Sequence, residues 1–353
     1  MLLIHKSILK ELSITIAFAI FILNFVLLIE KLLRITRLLA GSGSSFLDIA
    51  RIILYLQPET FILTIPMALL LSVLLTYGRM TVDNELTILQ NAGLSFIKIS
   101  KPVIYLGLSC CVLSLLMSFY FGPKGSILLR EKVSEILTKR AALTLEEGIF
   151  NTAFKDVVIL VKEKPSKDVL REILIFDERK KDEERLILAR EGQMEMHGEG
   201  MSFALKDGKV YISKKTSLTE IHFERYEFIL PVTTVGLGRK KSEMTPFELL
   251  AASKTQPEEK SKFMIEFYRR LSMPALCLII IFLAPPLSLY AGKSVRLGGL
   301  TIGLALFTFY YMILIYGENL SRVGKVSYFL GSWTAFIILG ISSLILFYKA
   351  NKK

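Results

Sequence analysis

Cysteine and histidine are scarce, with three of each among 353 residues, and there is a single tryptophan. Cys110 and Cys111 are adjacent within one apolar run and Cys277 lies in another, so neither a disulfide framework nor a metal-ligand spacing is present; buried thiols are the plain reading. His5, His197 and His222 are scattered. There is no H-E-x-x-H and no nucleophile elbow. AGKS at 291–294 has the tail of a phosphate-binding loop, but the glycine needed five residues before its Gly-Lys is Leu287, and no strand–loop–helix pattern surrounds it. The chain therefore reads as non-catalytic, with no metal or cofactor of its own. Charge is also thin, at 22% of residues against 52% hydrophobic, and mean hydropathy is +0.50. That is too apolar for an ordinary soluble domain. The net charge of +12 then reflects basic loops held at anionic lipid, and nucleic acid is not the expected partner.

Long apolar runs are what the chain does have. A hydrocarbon core about 30 Å thick needs roughly 20 helical residues. Six segments qualify, near 12–33, 52–76, 101–121, 271–290, 297–317 and 326–348. The N-terminal MLLIHKSILKEL has a charged start, but the apolar stretch behind it has no A-x-A-like exit and reads as a retained first span. Pro58 and Pro66 in the second span and Pro285-Pro286 at the end of the fourth read as kinks. Asn24, Glu30 and Glu59 lie in or near spans without forming a spaced proton relay.

The chain divides at 1–121 (three spans), 122–268 (an insert with helical connectors) and 269–353 (three spans). Segment 122–147 is charged and helix-like, and 245–268, opening with Thr-Pro, reads as a helical return. Between them VVILVKEK, LREILIFDER, RLILAREG, MSFALKDGKVYISK and TEIHFERYEFIL alternate apolar and polar residues, as half-buried strands do, and KDGK is a hairpin turn signal. A β-sandwich, jelly roll or open barrel is expected. The fold class is thus an α-helical membrane protein with six spans and an inserted, jelly-roll-like all-β domain.

Six spans place both termini on one side and the insert on the other. The terminal side holds Lys6, Lys10, Arg79, Lys98, Lys101, Lys293, Arg296, Lys349, Lys352 and Lys353, against Lys31, Arg34, Arg37, Arg51, Arg322 and Lys325 opposite. This bias puts the termini inside and the β domain outside.

TYGRMTVDNELTILQNAGLS at 76–95 is too polar to cross a bilayer and too patterned to be a linker. As a helix from Thr81, with Thr81 as N-cap, it places Val82, Leu86, Leu89 and Gly93 on one stripe and Asp83 and Glu85 in the first turn; Gly93 can end it. Interfacial helices that rest on lipid are rich in Lys and Arg, whereas no base occurs between Arg79 and Lys98. Docking into another protein's groove is the better reading.

The stretch IPMALLLSVLLTYGRMTVDNELTILQNAGLS resembles the second span and coupling helix of the LptF/LptG permeases of lipopolysaccharide export. KSILKEL, FGPKGS and RRLSMPALCLIIIFLAPPLSL fit the same family, as does the three-plus-β-domain-plus-three layout. EKLLRITRLLAGSG and APPLSL lean toward its LptF branch. The resemblance implies a permease half that pairs with an LptG-type paralogue in the bacterial inner membrane. It also implies a dimer of the ATPase LptB, which holds the ATP and magnesium. The pair would extract lipopolysaccharide and pass it, through the β domain, to LptC and the periplasmic bridge.

Under the resemblance, residues 81–93 are the coupling helix, with Asp83, Glu85, Leu86, Leu89 and Gly93 at the ATPase; Glu85 makes the polar contact and Leu86 and Leu89 are apolar anchors. Lys31, Arg34 and Arg37 follow the first span at helical spacing and would meet lipid phosphates. Ordinary headgroup anchoring predicts the same three residues. Tyr310, Tyr311, Ile313 and Tyr316 of span five would line an acyl-chain cavity, although helix packing predicts such a stripe too. Val158, Leu160, Ile173, Ile175, Phe203 and Leu205 would form an apolar slide or a plain β core. Three other readings compete with it: a membrane-anchored scaffold, a lipoprotein-release or FtsX-like subunit, and a secondary transporter. The scaffold leaves the acidic segment without a role, the second class carries its large domain after span one, and no midplane polar site supports the third.

Overall fold

The computed structural model describes residues 2–39, 45–143, 147–154, 156–166, 169–180, 183–197, 200–214, 217–231, 240–290 and 295–352; AGKS at 291–294 lies outside them. The helices before the insert are α1 (Leu2–Leu39), α2 (Phe46–Val82), α3 (Glu85–Asn91), α4 (Phe96–Leu116) and α5 (Gly122–Leu143). The insert holds β1 (Phe150–Phe154), β2 (Val157–Glu163), β3 (Val169–Lys180), β4 (Glu183–His197), β5 (Gly200–Lys214) and β6 (Ser217–Pro231). Then come α6 (Pro246–Thr255), α7 (Lys260–Tyr290), α8 (Val295–Arg322) and α9 (Tyr328–Lys352). Six helical stretches are long and apolar enough to cross a membrane: Leu3–Leu33, Phe46–Val82, Phe96–Ile136, Pro257–Leu289, Gly298–Arg322 and Tyr328–Lys352. The chain is a helical membrane protein with an inserted β domain. The helical return is also as the sequence predicts: Thr245 caps α6 through a capping box with Glu248.

Two compact units result, one of residues 1–32, 53–127 and 240–353, the other of 33–52 and 128–239. In the first, α2 and α7 are the buried axis. Leu69, Val73, Leu74 and Tyr77 of one and Cys277, Ile280 and Ala284 of the other are almost fully enclosed. Cys110 and Cys111 join the same core, so all three thiols are buried and free. α1, α8 and α9 instead leave Phe18, Phe21, Phe25, Phe309, Met312 and Ile341 exposed, as spans facing lipid or another helix must. At the junction of α4 and α5 a π-helical turn, Met117–Phe121, brings the Ser118 hydroxyl to donate to the Arg270 carbonyl at 3.0 Å.

In the second unit the strands pair antiparallel in chain order, β1 to β6, one open meander among the described residues. Burial alternates along β3, β4, β5 and β6 but changes phase part-way. In β4 the buried residues are Ile187 and Ala189, then Gly192 and Met194; in β5 the buried apolar residues are Met201, Phe203 and Leu205, then Val210, with Ser202 buried between the first two. The change falls on one row. Glu172, Arg190, Asp207 and Glu224 lie opposite one another between the regular pairs on either side. Here each strand shows two consecutive exposed charged residues: Arg171-Glu172, Arg190-Glu191, Lys206-Asp207 and Glu224-Arg225. Glu172 and Asp207 are left-handed, with φ of 48° and 50°. The row is a crease. By repeating one facing, the strands turn the apolar residues of both halves into one core.

Two sequence expectations are corrected by the crease. KDGK makes no hairpin; it lies inside β5, where the readiness of Asp-Gly for positive φ serves a bend instead of a reversal. On β2 the buried residues are Val157, Ile159 and Val161, while Val158 and Leu160 lie on the opposite, half-buried face. Ile173, Ile175, Phe203 and Leu205 do point into the core.

A Cβ added at Gly208 would collide with the Leu188 carbonyl oxygen and the Phe223 ring. Gly208→Val should therefore destabilise the sheet by about 2 kcal/mol, within the range for overpacking. Asp207→Gly, which removes a left-handed side chain, should be neutral or stabilising by up to ~1 kcal/mol. Hydrogen exchange of the β5 amides in the full chain reads both. Unchanged β5 protection in Gly208→Val would contradict the crease.

Candidate functional site

α2 is 37 residues long, about 55 Å at 1.5 Å per residue, so it outruns the hydrocarbon and carries Arg79 near its end. The chain then reverses through Asp83-Asn84, with Asn84 left-handed at φ 57°. Asparagine tolerates that conformation better than most residues. α3 therefore starts at Glu85, later than the sequence predicts. Thr81 is not its N-cap, because α2 continues to Val82 and the Thr81 hydroxyl donates to the Tyr77 carbonyl at 2.8 Å. Asp83 falls in the turn for the same reason. Gly93 does end the helix, at φ 87°: its N–H donates to the Gln90 carbonyl at 2.9 Å and that of Leu94 to the Leu89 carbonyl at 3.1 Å.

α3 is fastened from beneath and from the side. Leu86, 2% exposed, enters the core beside Tyr77 and Ile99, and Leu89 and Leu94 pack against it. The Tyr77 hydroxyl donates to the Ile99 carbonyl at 2.8 Å and ties the ends of α2 and α4 together below α3. Leu86 is thus not free to anchor a partner, and Leu89 is half-buried on the same side. A stripe of apolar residues finds the core of its own unit first, since that is always present. The outward apolar residues are Ile88, 64% exposed, and Val82.

Around them sits a charge cluster built on Arg79. Its Nε and Nη2 donate to the two carboxylate oxygens of Glu11 on α1, at 2.9 and 2.8 Å. Its Nη1 donates to Asp83 at 3.1 Å and to Glu85 at 2.8 Å. Three carboxylates surround one guanidinium, so the cluster keeps a negative excess, and all four side chains are partly exposed.

The opposite end of this unit is polar in another way. A cavity of about 180 Å³ is lined by Lys31, Glu59, Ser118, Glu266, Arg269, Arg270 and Tyr311, among others. Lys31 Nζ meets Glu59 at 3.0 Å. Arg269 forks onto Glu318, which is almost fully buried, and Arg270 donates to the Met244 carbonyl and, at 2.8 Å, to the Lys241 carbonyl.

Of the expected lipid-binding set, Lys31 and Tyr311 share this cavity. Tyr310 does not. It is fully enclosed and its hydroxyl donates to the Ser272 carbonyl at 3.3 Å, because the face of α8 through Tyr310, Leu314 and Gly317 packs inward. Ile313 packs partly against the core and Tyr316 is exposed away from it. Arg34 and Arg37 lie on the last turns of α1, but their side chains are outside the described residues. Sequence reasoning passed over Arg269, Arg270 and Glu318. Charges inside or at the edge of an apolar run were the available signal. No cluster of metal-ligating side chains occurs among the described residues.

Leu86→Ala should lower the apparent thermal midpoint of the detergent-solubilised chain by several degrees, as a core Leu→Ala costing about 2–5 kcal/mol does. Ile88→Ala, on the outward face, should shift it little, within about 0.5 kcal/mol. Equal shifts would place the two side chains in the same environment and contradict the geometry.

The sequence model of the family described as "Lipopolysaccharide export system permease LptF/LptG" matches residues 6–349. The lipopolysaccharide export system permease protein LptF of Escherichia coli is 20% identical over 333 residues, 93% of this chain and 89% of that protein. A protein of Rickettsia prowazekii described as the uncharacterized protein RP871 is 24% identical over 225 residues, 64% of this chain and 62% of its own length.

Proposed function

The chain belongs to the lipopolysaccharide export permease family LptF/LptG, and we propose that it is the LptF-type half of an ABC transporter that extracts lipopolysaccharide from the inner membrane. Its termini and α3 face the cytoplasm and the β unit the periplasm, a topology supported by the basic bias of the terminal side. The chain itself is non-catalytic. ATP and magnesium are held by an LptB-type ATPase dimer, and an LptG-type paralogue completes the permease.

The observation that carries this reading is α3: a short helix fixed by Leu86 that offers Ile88 outward beside the carboxylates of Asp83 and Glu85. An apolar knob rimmed by carboxylates suits a groove with an apolar floor and basic walls. Ile88 replaces Leu86 and Leu89 as the anchor, and Glu85 keeps its role as the polar contact. At the other end, Lys31 and Tyr311 would meet the phosphates and sugars of the lipid, with Arg34 and Arg37 continuing the basic track. A phosphate must displace Glu59 from Lys31 to bind there. Among the described residues β6, fifteen residues long, is an edge of the sheet, and such an edge is suited to adding a strand from LptC or the periplasmic bridge.

Affinity capture from detergent-solubilised membranes tests the central joint. The parent should bring down an ATPase of LptB type. Ile88→Asp and Glu85→Lys should insert normally and recover at least about tenfold less of it, since burying an isoleucine is worth ~1.5–3 kcal/mol and 1.4 kcal/mol is tenfold in affinity. A parent that recovers no ATPase would overturn the transporter reading and leave the scaffold in its place.

A further inference from the structure

We propose that Arg79 is a positioning residue, a pin that ties α3 to α1 so that displacement of α3 is delivered to a sparsely packed span of the unit. The inference rests on the reading of α3 as the ATPase-docking helix. Its ground is the aim of the Arg79 fork. An arginine in the last turn of a helix usually serves the carbonyls of that helix. Arg79 instead spends both arms of its fork on Glu11, 68 residues away on α1, and its remaining bonds on Asp83 and Glu85 at the start of α3. A guanidinium is planar and its donors are fixed relative to one another, so these carboxylates cannot shift independently without breaking a bond.

The packing of α1 gives the pin something to move. Ala19, Ile20 and Leu23 of this helix pack partly against the core, and among its described residues Ile8, Leu12 and Ile16 are buried. Beyond them Phe18, Phe21, Phe25, Val26 and Ile29 are exposed. The first turns are tied a second time, by His5 Nε2 to the Lys98 carbonyl at 2.9 Å. Arg79 precedes α3 in the chain and Lys98 follows it. The two polar ties at the start of α1 therefore bracket α3; farther along, Asn24 Nδ2 donates to Gln57 and Lys31 pairs with Glu59, both on α2. A rigid helix tied at its start to the segment that receives the push carries that displacement along its length, toward the Asn24–Gln57 and Lys31–Glu59 contacts with α2. Its far end carries Lys31.

The test uses the whole complex with its ATPase in lipid discs containing lipopolysaccharide, and reads ATPase recovered, ATP turnover and lipid released per ATP. Glu11→Gln touches neither the outward face of α3 nor the lipid-end cavity. It should retain the ATPase and its turnover while releasing at least about threefold less lipid per ATP, the scale of a partly exposed forked ion pair. Arg79→Lys, which keeps charge but not the fork, should fall between Glu11→Gln and the parent, and adding Arg79→Gln to Glu11→Gln should lower release per ATP no further. Where Glu11→Gln fails to insert, Glu11→Asp, which keeps the charge but shortens the reach, should show the same lowered ratio. Release per ATP equal to that of the parent would overturn the pin, as would a loss of lipid release strictly proportional to lost ATPase. A parent complex without ATPase would overturn the docking reading as well, whereas a coupled parent with an indifferent Glu11→Gln overturns the pin alone.

Discussion

Hydrocarbon hydrates neither a backbone carbonyl nor a charge, so polar groups at the ends of a membrane bundle must find partners within the chain or in water at the rim. In this protein that requirement is met differently at the two ends. At the end opposite α3, Arg269 and Glu318 neutralise one another in a buried fork, and Arg270 satisfies carbonyls of the connector that leads into α7. Those bonds fix the frame: breaking one would strand a buried charge. At the terminal end, Arg79 and its three carboxylates remain partly in water, where each bond is weak and can be exchanged. A bundle that must stay assembled at one end and respond at the other would be built with this asymmetry.

The β unit solves a different problem. Strands of fifteen residues in a single meander would present one apolar face to water along their whole length. Repeating a charged residue along one row of the sheet lets both halves aim inward at one core without crossed connections. The crease needs two left-handed residues and a glycine to let the strands pass, and the exposed charges along it are mutually compensating: Lys162 pairs with Glu172, and Arg171 approaches Glu191 at 3.7 Å. Local strain at the row is offset by burial of Leu170 and Phe203 on one side of it and Ile175 and Ile187 on the other.

The spans, the insert and the capped return helix were legible because they depend on composition and on short-range rules: apolar length, alternation, Thr-Pro before an acidic third position. The failures share one cause. Which side of an amphipathic segment meets its own protein, and which meets a partner, is a tertiary fact. Leu86 and Ile88 are both apolar and two residues apart, and only the packing of α3 on Tyr77 and Ile99 decides between them. KDGK likewise satisfies the rule for a turn, and only the pairing of β5 with both neighbours shows that its positive φ serves a bend. Tyr310 and Tyr311 are adjacent in the chain and lie on opposite sides of the boundary between core and cavity. Arg269 and Glu318 meet across 49 residues, beyond the reach of any local pattern.

On the proposed reading, the size of α3 has a consequence for the assembly. Seven helical residues with one strongly exposed apolar side chain cannot hold a soluble ATPase alone, since burial of an isoleucine contributes roughly 1.5–3 kcal/mol while association costs at least ~4 kcal/mol in lost freedom. Charge complementarity at Asp83 and Glu85 raises the encounter rate and selects the partner more than it adds affinity. The shortfall closes when two such helices, one from each permease half, engage an ATPase dimer together, because the second contact then forms at high effective concentration. A weak single site is also an advantage for a cycle: each helix can be displaced in turn without the ATPase leaving. The smallness of α3 and the exchangeable bonds around Arg79 are therefore two expressions of the same design, attachment through number and motion through weakness.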